Sequence, residues 1–226
     1  MGELAEIGES LEHEGLALRG GFHPLPEDEV PPLAAGRPCE TLLLVGNLGG
    51  AMWPPFRRSP ELGDGLPHAL DRWTRRVVGS LAARFGAEAL FPFGGPPWLP
   101  FQRWALRADS VARSPLGILI HPEYGLWHAY RGALAFGRRL ELPERVARPS
   151  PCESCAGRPC LSACPVGAFA PDRYDVALCR AHAGGPRGAG CREGGCAARL
   201  ACPVGRAHSY PAGQMAFHMA AFLAGR

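Results

Sequence analysis

The sequence predicts a mixed α/β domain followed by a small module organised by metal. Three observations carry that prediction. Thr41-Leu42-Leu43-Leu44-Val45 is a compact apolar run, while Leu70, Trp73, Val77, Leu81 and Phe85 recur at helical spacing. Eight of the nine cysteines fall between Cys152 and Cys202. Beyond Pro149 to Pro151, apolar periodicity nearly vanishes until Gln214, so that stretch needs something other than a hydrophobic core to order it. The expected boundaries are therefore residues 1–148 and 149–226.

In the first part, Glu3 to Glu14 reads as a helix and Leu16 to Phe22 as a short strand. The run from Thr41 ends at Gly46 and suits a buried strand. From Pro67 to Phe85 the apolar stripe is backed by Arg72, Arg75, Arg76 and Arg84, the pattern of an amphipathic helix. Ala89 to Phe93 and Gly117 to His121 read as further strands, with a helix from Pro100 to Val111 between them. Leu126 to Ala135 continues the sheet. Gln214 to Leu223 reads as a last short helix packing Met215, Phe217, Met219, Phe222 and Leu223 inward. The Gly46-Asn-Leu-Gly-Gly50 segment lacks the spacing of a dinucleotide loop and reads as a tight turn.

Composition narrows the function classes. With 46% apolar and 20% charged residues in 226, a core can form. A net charge of +3 and the absence of any like-charge block argue against nucleic acid as the main partner. All 24 basic residues are arginine, which removes P-loop clamps and lysine Schiff-base chemistry. Met1 to Glu14 holds several glutamates and no apolar run, and no stretch reaches membrane-span length. A soluble, cytoplasmic protein is expected, with no membrane partner.

In a reducing cytosol, dense cysteines favour thiolates bound to metal over disulfides. The first set reads Cys152-x2-Cys155-x4-Cys160-x3-Cys164-Pro165, which differs from the bacterial ferredoxin run only in its middle gap. There Gly157, Arg158 and Pro159 can form a small outward loop. The second set is Cys179, Cys191, Cys196 and Cys202-Pro203. Ala-Cys-Pro-Val-Gly occurs twice, at Ala163 to Gly167 and at Ala201 to Gly205, so the module reads as a pseudo-symmetric repeat holding two [4Fe–4S] clusters. Ferredoxin crossover logic assigns Cys152, Cys155, Cys160 and Cys202 to one cluster, and Cys164, Cys179, Cys191 and Cys196 to the other. Structural zinc also takes four cysteines, and His182 or His208 could stand in for one ligand. Cys39 reads as a small core residue.

Two further segments are chemically unusual. Phe91-Pro-Phe-Gly-Gly-Pro-Pro-Trp-Leu-Pro-Phe101 interleaves aromatics with Gly and Pro, which suits either a broad, flat ligand or a rigid cap on the core. Ser114 to Leu134 contains His121-Pro-Glu-Tyr-Gly-Leu-Trp127. That segment resembles the His-Pro-x-x-Gly-x-Trp turn of CblC-type cobalamin-processing proteins. More loosely, it is similar to the Pro-Glu-Tyr-Gly-Ser-Trp-like turn of epoxyqueuosine reductases and their reductive dehalogenase relatives. Those latter families join a cobalamin-binding domain of nitroreductase-like α+β fold to a C-terminal dicluster ferredoxin module, the same order of parts as here.

The resemblance implies a corrinoid-binding first domain and a ferredoxin-like iron–sulfur second domain. It makes His121, Tyr124, Gly125 and Trp127 candidates for the corrin-facing wall, with Gly94 and Gly95 of the aromatic loop added by proximity to that motif. One departure stands out: Pro92 to Pro100 contains no acid, whereas epoxyqueuosine reductases place an acidic proton donor there. The implied function is an iron–sulfur oxidoreductase passing single electrons to cobalamin or an organic substrate. The alternatives are a ferredoxin-like carrier that docks an electron donor or acceptor protein, and a flavin-binding first domain. No catalytic acid, base or nucleophile is identified.

Overall fold

The computed structural model describes residues 2–170 and 173–225. The chain opens with α1 (Glu3–His13), β1 (Ala17–Phe22) and β2 (Thr41–Leu48), followed by α2 (Trp53–Arg57), α3 (Pro60–Gly63) and α4 (Ala69–Phe85). Next come β3 (Glu88–Leu90), α5 (Phe101–Ala108), β4 (Ala112–Arg113), β5 (Leu119–Ile120) and β6 (His128–Phe136). The cysteine-rich part adds α6 (Pro159–Ser162), β7 (Phe169–Ala170), β8 (Arg173–Tyr174), α7 (Val176–Gly184), α8 (Ala189–Gly194), α9 (Ala197–Leu200) and α10 (Ala212–Leu223). Among the described residues, no helix is long and apolar enough to cross a membrane.

Two compact units result, and a single cut at Pro149 does not separate them. The first comprises Met1–Ser110 and Ala129–Ala147, the second Val111–His128 and Arg148–Arg226. The segment containing the His121-to-Trp127 turn therefore belongs with the cysteines.

In the first unit a sheet runs in the order β1-β2-β6-β3. β1 pairs antiparallel with β2 (Leu18 opposite Val45, Phe22 opposite Leu42), and β3 pairs antiparallel with β6 (Ala89 opposite Leu134). The two central strands are buried on both faces, from Leu42 to Val45 and from Ala133 to Phe136, which is why their sequence is continuous in apolar residues rather than alternating. Helix α4 covers the core with Trp73, Val77, Val78, Leu81 and Phe85, and α1 adds Ile7 and Leu11.

The turn expected over Gly46 to Gly50 begins only at Gly49, because Gly46 to Leu48 still belong to β2. A Cβ at Gly46 would lie 2.2 Å from the Ala129 carbonyl oxygen, so close strand packing, not a turn, requires glycine there. The buried Arg19 reaches Asp109 Oδ2 at 2.6 Å, and the Tyr130 hydroxyl donates to the same oxygen at 2.8 Å. Burial, reinforced by Asp109, pushes the Tyr130 hydroxyl well above its ordinary range and keeps it a donor.

The second unit is built around Leu116, Ile120, Leu126, Ala198 and Cys202, with Cys152, Cys160, Cys164, Cys196, Phe169 and Val204 packed against them. β4 and β5 form one two-stranded ribbon, β7 and β8 another. The strand expected over Gly117 to His121 shrinks to Leu119–Ile120, because the Gly117 N–H bonds to the Ser114 carbonyl oxygen and closes a turn before it. In the last helix the expected inward residues Met215, Phe217, Met219, Phe222 and Leu223 are only half-buried, and Gln214 is the fully buried one.

Candidate functional site

The two copies of Ala-Cys-Pro-Val-Gly each follow a single helical turn, α6 in one case and α9 in the other. Each ends in a glycine with left-handed backbone, Gly167 at φ 61° and Gly205 at φ 71°, so the sequence repeat is also a repeat of local conformation.

Each copy sends its cysteine away from its own neighbours in sequence. Cys164, Cys179, Cys191 and Cys196 line one hollow of about 270 Å³, walled by apolar side chains that include Leu116, Ile118, Phe169 and Met219. Cys152, Cys155, Cys160 and Cys202 line a second and tighter hollow of about 20 Å³. All nine cysteines are free of disulfides. His182 lines the larger hollow and His208 neither; the His208 ring lies 4.4 Å from that of Tyr124.

The electrostatics of these sets oppose free thiolates. Burial raises the Cys152, Cys160, Cys191 and Cys196 thiols above their ordinary range, and neighbouring sulfurs of the same set raise them further. Four thiolates cannot share such a place unless positive charge compensates them, which bound metal does. Four soft sulfur donors suit iron–sulfur clusters or zinc. Among the described residues, no three His, Cys, Asp or Glu side chains converge as ligands of a single ion. A cubane spreads its thiolates over four iron corners instead. Cys39 lies apart from both sets. It is half-buried, its thiol donates to the Thr41 carbonyl oxygen at 3.3 Å, and burial pushes it up to about 11.

The His121-to-Trp127 turn is held by reciprocal backbone hydrogen bonds between His121 and Gly125, at 2.8 and 2.9 Å. His121 Nδ1 accepts the N–H groups of Glu123 and Tyr124, at 3.1 and 3.2 Å, so the imidazole pins the turn. A Cβ on Gly125 would sit 2.0 Å from the Val204 carbonyl oxygen, and one on Gly205 2.3 Å from the Tyr124 carbonyl carbon. The two turns touch backbone to backbone. Trp127 is 1% exposed: the Arg199 guanidinium lies 4.5 Å from its ring centroid, and Tyr210 meets it edge-on at 5.4 Å.

These placements differ from the expectation of a flat corrin-facing wall. Gly125 and Trp127 are occupied in packing this unit together, while His121 and Tyr124 remain half-buried. Gly94 and Gly95 lie in the other compact unit, on a loop whose Phe91 and Phe101 are buried and whose Trp98 is 66% exposed.

Sequence reasoning missed Arg199, which donates from Nε to the Leu126 carbonyl oxygen at 3.0 Å, bonds it again through Nη2, and stacks on both Trp127 and Tyr210. No signal distinguishes it among 24 basic residues. Tyr174 was missed too. It lines the larger hollow, stacks on Phe169 at 4.5 Å, and has its hydroxyl pushed upward by burial and by its hydrogen bond with Cys179.

No protein-family model matches the chain, and no curated protein sequence does. Solved structures do. Epoxyqueuosine reductase from Streptococcus thermophilus superposes with a TM-score of 0.57 at 16% identity, covering 93% of this chain and 68% of that one. The B12-trafficking protein CblC of C. elegans gives 0.52 at 14%, covering 95% and 91% respectively. Epoxyqueuosine reductase from Bacillus subtilis gives 0.51 at 15%, covering 93% and 66%. The chain thus has the mixed α/β fold shared by epoxyqueuosine reductase and CblC.

Proposed function

We propose that the chain is an iron–sulfur redox protein that passes single electrons from two [4Fe–4S] clusters to a bound corrinoid or an organic substrate. Cys152, Cys155, Cys160 and Cys202 hold one cluster in a ferredoxin-like module, and Cys164, Cys179, Cys191 and Cys196 the other. The observation that carries the proposal is the exchange between repeats, in which Cys164 and Cys202 each line the other half's hollow. Such an exchange is the habit of two-cluster ferredoxins.

When bound, these clusters supply low-potential one-electron transfer. The chain's own residues supply the surroundings. Leu116, Phe169 and Met219 keep water from the larger hollow, and the Ala168 N–H points at Cys164 Sγ from 3.4 Å, a contact that favours negative charge on sulfur.

The corrinoid part of the proposal draws on the fold shared with a B12-trafficking protein and on the resemblance of the His121-to-Trp127 turn. His121 and Tyr124 on that turn are its candidate contacts. A second reading, an electron carrier without a substrate of its own, is favoured by the burial of Trp127 beneath Arg199 and Tyr210.

Anaerobic reconstitution tests the cluster half: about eight iron and eight sulfide per chain are expected, four of each for every cubane. A chain that takes zinc but no iron overturns the proposal. Adding cob(II)alamin tests the rest. A shift to a base-off spectrum and oxidation of prereduced clusters are expected. Absence of binding at micromolar concentration leaves the carrier reading in its place.

A further inference from the structure

Charge is unevenly divided along the chain. Residues 149–226 hold eight arginines against four acids, whereas residues 1–148 hold sixteen against seventeen. The exposed apolar side chains are uneven too. Of nine large exposed hydrophobics among the described residues, five lie in the second unit: Ile118, Tyr174, Val176, Leu178 and Leu200.

Three of these stand together in sequence on β8 and the first turn of α7, where Tyr174, Val176 and Leu178 are 37%, 40% and 41% exposed. They immediately precede Cys179. Arg173 and Arg180 bracket them, both exposed, and Arg187 follows α7. Among the described residues no ion pair joins any of these three arginines to a carboxylate, although Arg180 lies 5.0 Å over the Phe222 ring. The acid within this stretch, Asp175, is spent locally: its Oδ1 accepts the Leu178 N–H at 2.9 Å and caps α7.

Exposed apolar side chains that include a tyrosine, flanked along the chain by exposed arginines, have the composition of a protein interface. The position of this face gives it a purpose. Tyr174 belongs both to this face and to the wall of the hollow that Cys179 lines, so a partner seated here stands one side chain from the sulfurs.

We propose that β8 and the first turn of α7 form the docking face for an acidic one-electron carrier protein. The inference rests on the iron–sulfur reading above. The carrier's reduced centre gives up one electron, the cluster beside Cys179 accepts it, and no proton or bond changes hands. Arginines without a carboxylate partner among the described residues steer an acidic partner, and apolar side chains supply the dry contact once it arrives.

The experiment uses the anaerobically reconstituted full chain, with a reduced, acidic plant-type [2Fe–2S] ferredoxin as probe. Iron content is counted first; cluster bleaching is then followed by stopped flow, and ferredoxin binding is measured separately by calorimetry. Reversing two charges, Arg173→Glu with Arg180→Glu, should slow reduction by ferredoxin about tenfold or more at low salt and flatten its salt dependence. Binding should weaken in parallel, while iron content and the rate with dithionite stay as in the parent. Arg58→Glu, on the first unit, should change none of these. A full iron complement with unaltered ferredoxin kinetics and affinity in the double variant overturns the docking face and leaves the cluster reading standing. Equal slowing by Arg58→Glu also overturns it. A parent chain without iron overturns both.

Discussion

Gly125 and Gly205 show how much of this molecule rests on missing atoms. Both have left-handed backbones, at φ 55° and 71°, and both press against the opposite turn at distances no Cβ tolerates. The resemblance marked Gly125 as a ligand contact, but its neighbour is the carbonyl oxygen of Val204. Gly125→Ala combines backbone strain with a clash against main chain that cannot swing aside. It should cost on the order of 2–4 kcal/mol in denaturant titrations of the reconstituted protein. Unchanged stability would mean that the two turns separate readily. The spacing of the cysteines can be read directly from the sequence; the role of Gly125 could not, since a glycine's identity records that space is scarce but not what fills it.

Among elements, those written in periodic apolar residues were readable. α1, α4 and β2 appear within a few residues of their expected limits because a continuous apolar face has one way to be buried. α6, α8 and α9 were not readable. Each is four to six residues long, too short to show a helical period, so nothing in their pattern distinguishes a helical turn from a loop.

The short α3 is fastened to α4 by Arg72, which bonds the Glu61 carbonyl oxygen and Asp64, and by the Arg76–Glu61 pair. Arg76 donates from Nε to Glu61 Oε1 at 2.5 Å and from Nη2 to Oε2 at 3.1 Å. That hydrogen bond lowers the Glu61 carboxyl from its ordinary 4.5 to about 2. A depressed carboxylate contributes stability above its unfolded value and loses it on protonation in the folded state. Urea midpoints should therefore fall as pH drops from about 4.5 toward about 2, and Glu61→Gln should flatten part of that slope. An identical slope in the variant would assign the acid sensitivity elsewhere.

At the scale of the whole molecule, the expected boundary at Pro149 reflects a change in composition rather than a division of cores. Leu116, Ile120 and Leu126 come from the middle of the chain yet form the apolar centre of the cysteine-rich unit. Hydrophobicity tells that such residues are buried and is silent about which partner buries them. A fragment ending at residue 148 should consequently expose Leu116, Ile120, Leu126 and Trp127, bind hydrophobic dye and aggregate, instead of behaving as a free-standing domain. A monomeric fragment that melts cooperatively and binds no dye would show that residues 111–128 have a second place to pack.

The discontinuous second unit sets a timetable for synthesis. Its apolar strip leaves the ribosome with residues 111–128, about a hundred residues before the last of its partners. At the usual pace of elongation that interval is on the order of ten seconds. Cys152, near the start of the tighter hollow, must wait for Cys202, fifty positions later, before its set of four is complete. The nascent chain thus spends its most adhesive interval with Trp127 uncovered; if the proposed clusters form, early supply of iron and sulfide, or a chaperone's grip on that strip, becomes a condition of its yield in the cell.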